Sequence, residues 1–363
     1  MPNIRLEGIT VSYGRNNALD SYDLEVRDGE YLCLLGPTGA GKTTTLRTIC
    51  GLTLPQTGKV IFDGKDITST EPEERKAAML SQGYSLFPHM TVRENISFGP
   101  EIRNWGEKER NESVSSMLDL VRLTRRADSF PHELSGGMQQ RNALARALAS
   151  GAEVLLLDEP LRALDARLRI DLRGELRSLS KSLGITTVHV THDQDEALVM
   201  ADRIAVIRKG RIVQIGTPRE VFDDPRTPFV ANFLGQSNFV NGFVRESGDR
   251  TILEDRVGRL MPGRASDLEL GDQAVLGVKI GQTQISKDGE GHLKGEIERM
   301  LFEGHYIHVD MQVEDLGRFA CKLPPRKMEE FDTGEVVNIS WDPHEASIFP
   351  YPEGGLENEL RVE

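Results

Sequence analysis

Residues 36–44 read Gly-Pro-Thr-Gly-Ala-Gly-Lys-Thr-Thr, and their composition suits the binding of phosphate. They follow an apolar run, Tyr31-Leu32-Cys33-Leu34-Leu35, that predicts a buried strand. They precede Leu46 to Cys50, which predicts a helix closed by Gly51. In a strand, loop and helix of this kind the glycines let successive backbone N–H groups converge on an anion, and the helix N-terminus adds its partial positive charge. Lys42 is then placed to reach the β and γ phosphates of a nucleoside triphosphate, and the Thr43 hydroxyl to ligand the accompanying Mg²⁺. The structural alternative is a glycine-rich turn that happens to contain lysine, and the flanking strand and helix argue against it.

Further groups could complete such a site. Glu153 to Leu157 is a continuous apolar run, hence a buried parallel strand, and it ends in Asp158-Glu159-Pro160. Carboxylates at that end of a strand sit at the ligand edge of an α/β sheet. Asp158 suits the Mg²⁺ shell and Glu159 the attacking water, whereas two purely structural acids there would need buried partners. Ile185 to Val190 is another buried strand, and His192, just past it, shares the same edge ahead of an Asp193 to Glu196 capping pattern. Leu134-Ser135-Gly136-Gly137-Met138-Gln139-Gln140-Arg141 opens an alanine-rich helix capped by Ser135, which makes a second anion site.

The remaining elements position these groups. Residues 3–31 alternate apolar and polar around turns at Tyr13-Gly14 and Asp28-Gly29, predicting two or three antiparallel strands. Tyr13 can stack on a base or simply pack a strand edge. A hairpin around Asp63-Gly64 and a strand over 77–81 lead to Gln82 and to an apolar loop at 83–90 that exposes Tyr84, Leu86, Phe87, Pro88 and His89. Phe87 is either a buried loop anchor or part of a docking pocket for another protein. Thr91-Val92-Arg93-Glu94 has the form of a capping box, 107–123 predicts a helix, and 163–183 a long charged one. Two strands near Ile204 and Ile212 and two short helices close this part at about Gly235.

From 236 to 350 short alternating segments separated by Gly, Asp and Pro predict a small all-β barrel or sandwich. His305 and His308 make no convincing metal pair, because three residues apart on a strand they face opposite sides. The last ten residues read as frayed. The 363 residues favour two domains, 1–235 and 236–363. A net charge of -13 argues against a chain that grips nucleic acid by its phosphates. No 18-residue apolar run or leader-like start is present, so neither secretion nor membrane spanning is expected. Three cysteines without metal-ligand spacing fit a reduced interior.

With these motifs in place the chain resembles the ATP-binding subunit of an ABC transporter. The 36–44 loop resembles its Walker A, Gln82 its Q-loop, residues 134–141 its signature motif, Val154 to Asp158 its Walker B and His192 its switch histidine. The tail resembles the OB-like TOBE domains of importer ATPases. The resemblance implies an α/β P-loop NTPase domain with an antiparallel β subdomain and a helical subdomain, followed by an all-β OB-like domain. It implies an ATP hydrolase in which Glu159, His192, Gln82 and Lys42 are catalytic. By the same resemblance ATP would be held by Tyr13, Gly36, Pro37, Thr38, Gly39, Ala40, Gly41, Lys42, Thr43 and Thr44, and by Ser135, Gly136, Gly137 and Asp165 of a partner copy. Mg²⁺ falls to Thr43, Gln82 and Asp158.

The same resemblance implies a homodimer or pseudodimer on the cytoplasmic face of the membrane, docked on two permease subunits and served indirectly by an extracytoplasmic solute-binding protein, with no nucleic-acid partner. Residues 235–239, Gly-Gln-Ser-Asn-Phe, are closer to polyamine, ferric-iron and inorganic-anion importers than to sugar importers. A P-loop GTPase or kinase is disfavoured because the Asn-Lys-x-Asp guanine signature is absent. A soluble ABC ATPase is disfavoured because neither a coiled-coil insertion nor a second cassette is visible. Two departures stand out. Arg162 replaces the usual serine in Leu161-Arg162-Ala163-Leu164-Asp165, and Gly83 replaces a small polar residue after Gln82.

Overall fold

Tyr31–Leu35, Val154–Asp158 and Thr186–Thr191 are buried along their whole length, as strands covered on both faces must be. They form the middle of a sheet in a computed structural model that describes residues 2–81, 83 and 85–361. The expectations placed on Gln82 and Tyr84 lie outside the described residues. The chain divides into two compact units, Met1–Arg219 and Glu220–Glu363. The expected boundary at 235/236 lies beyond this division.

In chain order the first unit contains β1 (Ile4–Tyr13), β2 (Asn16–Val26), β3 (Tyr31–Leu35), α1 (Lys42–Ile49), β4 (Thr57–Phe62), β5 (Lys65–Asp66), β6 (Ala77–Leu80), α2 (Val92–Ile102), α3 (Glu107–Leu120), α4 (Gly136–Ala149), β7 (Val154–Asp158), α5 (Ala166–Ser182), β8 (Thr186–Thr191), α6 (Gln194–Met200), β9 (Arg203–Arg208) and β10 (Arg211–Gly216). The main sheet has the order β10-β9-β3-β8-β7-β6. Every neighbouring pair is parallel except the β9–β10 hairpin. The C-terminal ends of β3, β7 and β8, with the 36–44 loop, Asp158-Glu159 and His192, therefore share one edge. A separate antiparallel sheet, β2-β1-β4-β5, joins the main core through Ile4, Leu6 and Ile9, which pack in one cluster with Leu32, Leu34 and Leu46. Helices α2, α3 and α4 pack on one another. Thr91 caps α2 in a reciprocal capping box with Glu94.

α7 (Pro218–Asp223) crosses the division, and α8 (Pro228–Gly235) belongs to the second unit. That unit continues with β11 (Ser237–Glu246), β12 (Arg250–Glu254), β13 (Leu260–Arg264), β14 (Gln273–Lys279), β15 (Gln284–Ser286), β16 (Leu293–Phe302), β17 (Ile307–Val313), β18 (Gly317–Leu323), β19 (Val336–Ser340), β20 (Ser347–Pro350) and α9 (Leu356–Leu360). Two five-stranded sheets, β13-β12-β11-β14-β20 and β15-β19-β16-β17-β18, share a core that includes Val240, Leu276, Ile297, Val309, Phe319 and Ile339.

Several boundaries differ from expectation for local reasons. α1 begins at Lys42, inside the phosphate loop, because Gly41 at φ 105° ends the loop there. α5 begins at Ala166, where Asp165 caps it, and not at Ala163. α3 ends at Leu120, with Arg122 at φ 55° just beyond. His305 precedes β17 and so does not share a strand with His308. The C-terminal stretch read as frayed holds α9.

Candidate active site

The phosphate loop owes its course to two glycines that tolerate no side chain. A Cβ on Gly36 would lie 2.2 Å from the Ile207 carbonyl, and one on Gly41 2.4 Å from the Ala18 carbonyl. Lys42 is buried, and its ammonium donates to the carbonyls of Gly36 at 2.7 Å and Pro37 at 2.8 Å. Burial lowers the Lys42 pKa, and the nearby Glu159 and Asp158 carboxylates oppose that shift. The Thr43 hydroxyl donates to Asp158 across 3.0–3.2 Å. Burial raises the Asp158 pKa, against the lowering effect of the Thr43 hydrogen bond. Loop and strand end thus bring two oxygen-bearing side chains to one point.

Glu159 leaves β7 in a left-handed conformation, φ 51°, that is costly for a residue with a Cβ. Three bonds hold that turn. The Glu159 N–H donates to the Val190 carbonyl of β8 at 2.9 Å, the buried Gln140 amide of α4 donates to the Glu159 carbonyl at 3.0 Å, and the Ala163 N–H donates back to Gln140 at 3.0 Å. At the carboxylate, His192 Nδ1 lies 3.2 Å from Oε1, and Arg162 Nη1 donates to Oε2 at 2.8 Å.

His192 itself is supported from behind. The Asp193 N–H and the Glu196 carboxylate both bond the Thr191 hydroxyl, Asp193 caps α6, and Arg173 of α5 reaches Asp193 at 2.9 Å. Below this lies His189, fully buried, with the Tyr31 hydroxyl 3.0 Å from Nδ1.

The helix start expected as a second anion site is separate from these groups. Ser135 caps α4 by accepting from the Met138 N–H at 3.4 Å, and Ser135 and Gly136 are exposed. Gly137 packs against the loop after Glu159, where a Cβ would meet the Ala163 carbonyl at 3.2 Å. Asp165 caps α5 by accepting from the Leu168 N–H. The contacts of these residues run to their own helices and to the 159–165 segment. Tyr13 ends β1 and is 56 % exposed.

Phe87 is half buried, its ring tilted against that of Phe98 with centroids 4.5 Å apart and the Arg146 guanidinium 4.9 Å over it. It lines an open cavity of about 310 Å³ with Met79, Phe98, Ile102 and Arg103. Asn95, fully buried, ties down the loop by bonding both the N–H and the carbonyl of Phe87. The Asn95 bonds make Phe87 the loop anchor that the sequence offered, and its ring also lines this recess. Sequence reasoning missed Gln140, which sits inside a quoted motif but gives no signal of bonding a loop nineteen residues on. It also missed Thr191 and Arg173, whose partners come from other elements.

Residues 19–162 match the family model described as ABC transporter, and residues 264–349 match a TOBE domain. The chain is 40 % identical to the spermidine/putrescine import ATP-binding protein PotA of Thermobifida fusca (strain YX), covering 96 % of this chain and 94 % of that protein. It is 39 % identical to the sulfate/thiosulfate import ATP-binding protein CysA of Thermosynechococcus vestitus, covering 96 % and 98 %. A dimeric post-hydrolysis structure of the ATP-binding cassette MJ0796 bound to ADP and Pi superposes with a TM-score of 0.55 at 31 % identity, over 60 % of this chain and 99 % of that one. The chain belongs to the ATP-binding subunits of ABC transporters, of the import type with a C-terminal TOBE domain, and it is an ATP hydrolase.

Proposed function

We propose that two copies of this chain close on two ATP molecules, each lying between the 36–44 loop of one copy and Ser135–Gly137 of the other. Closure then drives a polyamine or an inorganic anion inward through two permease subunits, with the chain peripheral at the cytoplasmic face. The observation that carries this reading is the convergence of Lys42, Thr43, Asp158, Glu159 and His192 on one sheet edge, while the second anion site faces outward on another helix. The relatives' names supply the two cargo chemistries. Among the described residues no helix is long and apolar enough to cross a membrane. The Phe87 cavity offers the apolar recess that docking on permease subunits needs.

In this reading Lys42 exchanges its two carbonyl partners for β and γ phosphate oxygens, and the loop N–H groups hold the rest of the phosphate chain. Thr43 and Asp158 are hard oxygen donors already turned toward each other, the donor set Mg²⁺ takes beside a nucleotide. That ion, when bound, offsets charge on the β and γ phosphates. Glu159 takes the proton of the attacking water, His192 steadies the carboxylate and the water, and Tyr13 stacks on the adenine. By the family resemblance Gln82, outside the described residues, would be a further Mg²⁺ ligand.

The test is Glu159→Gln. It should bind ATP as the parent does, lose about a hundredfold or more in turnover, and accumulate as an ATP-bound dimer in gel filtration. Near-normal hydrolysis would remove Glu159 from the role of base.

A further inference from the structure

Glu159 is gripped from two sides. His192 stands at Oε1, while Arg162, three residues further along the chain, places Nη1 2.8 Å from Oε2. The carboxylate side chain is 16 % exposed and that of the arginine 56 %. The backbone between them is fixed, since Gln140 bonds both Glu159 and Ala163, and Arg169 donates to the carbonyls of Arg162 and Leu164. The exposed Arg162 side chain has room to leave the carboxylate without moving the loop. Beside the pair lies a cavity of about 50 Å³ bounded by Glu159, Arg162, Arg169, His192 and Asp193, roomy enough for a water.

A general base must present an oxygen lone pair to the water it deprotonates, and its negative charge must stay available. An arginine on Oε2 takes one lone pair and offsets that charge. We propose that Arg162 is a positioning residue that restrains Glu159, holding back hydrolysis until the guanidinium is drawn off the carboxylate. A guanidinium pairs with phosphate as readily as with carboxylate. The nucleotide brought against residues 159–165 when two copies close is therefore the competitor that releases it. Hydrolysis is in this way tied to closure by a residue that pairs with the base until the nucleotide arrives. The proposal rests on Glu159 being the base.

Because the arginine is more than half exposed, the restraint is modest: exposed pairs of this kind are worth about two- to fivefold in an equilibrium. The experiment measures kcat and KM for ATP with the full chain as wild type, Arg162→Ser, Arg162→Lys and, separately, Glu159→Gln. Arg162→Ser should raise kcat about two- to fivefold with little change in KM, and Arg162→Lys, which keeps a cation within reach, should stay near wild type. An unchanged or lower kcat in Arg162→Ser overturns the proposal, the first by making the pair inert and the second by making the arginine an activator. An equal rise in both arginine variants also overturns it, because charge would not be the cause. An active Glu159→Gln is a different result, which removes the assignment of the base itself. The thermal midpoint of Arg162→Ser should stay within about 3 °C of wild type, as expected for an exposed position.

Discussion

His189 shows what burying one titratable ring costs beneath this site. Its neighbours are the Tyr31 hydroxyl at Nδ1 and the Glu196 carboxylate 3.6 Å from Nε2. Burial pushes its pKa from 6.5 down to about 3, with Asp193 opposing and Arg173 assisting that shift. Between those two values the unfolded chain binds a proton that the folded chain does not, so stability rises with pH and is lost as pH falls. From pH 7 to pH 5 the loss from this ring alone is about 2 kcal/mol. His189→Gln removes the titration, so its loss over the same interval should be smaller by that amount. Glu196, whose pKa burial raises, acts with opposite sign in both chains. Hydrogen exchange of the β8 amides at the two pH values reads this unit directly. Equal losses in wild type and variant would mean that the ring is protonated in the fold.

At the scale of elements, the Phe87 loop ties β6, α2 and α4 together around an open recess. The ring packs on Phe98 and Arg146, while Asn95 holds the backbone. Phe87→Ala should therefore leave ATP turnover of the separate subunit within about twofold and weaken its assembly with the permease subunits by tenfold or more, the range of a buried aromatic anchor. Co-purification beside an ATPase assay checks it, and lost ATPase with intact assembly would make the loop a purely internal support. Much of this arrangement was legible in the chain. Continuous apolar runs gave β3, β7 and β8, the Thr91–Glu94 pattern gave the start of α2, and Ser135 the start of α4. What stayed hidden depends on other elements. Nothing in the type of Gln140 tells that it bonds the loop after β7, and nothing in Arg162 tells that it folds back on Glu159. The start of α1 at Lys42 was hidden because the glycines that shape the loop also mask the first turn of the helix.

At the scale of the molecule, the chain carries two proposed anion sites on different elements of its first unit, a glycine-rich loop before α1 and a capped glycine pair before α4. In the proposed dimer neither copy would own a whole site. Lys42→Ala removes the phosphate-binding ammonium, and Ser135→Arg puts a bulky cation where the partner's γ phosphate belongs. Each variant alone has two spoiled sites. A mixed dimer concentrates both lesions at one interface and pairs an intact loop with an intact α4 N-terminus at the other. The most direct measurement is ATP retained by the equimolar mixture after rapid gel filtration, since binding to the closed dimer stabilises it by mass action. The account predicts near-zero retention by either variant and about one ATP per mixed dimer. No retention by a mixed dimer shown by co-purification to have formed would contradict shared sites and return both motifs to a single chain.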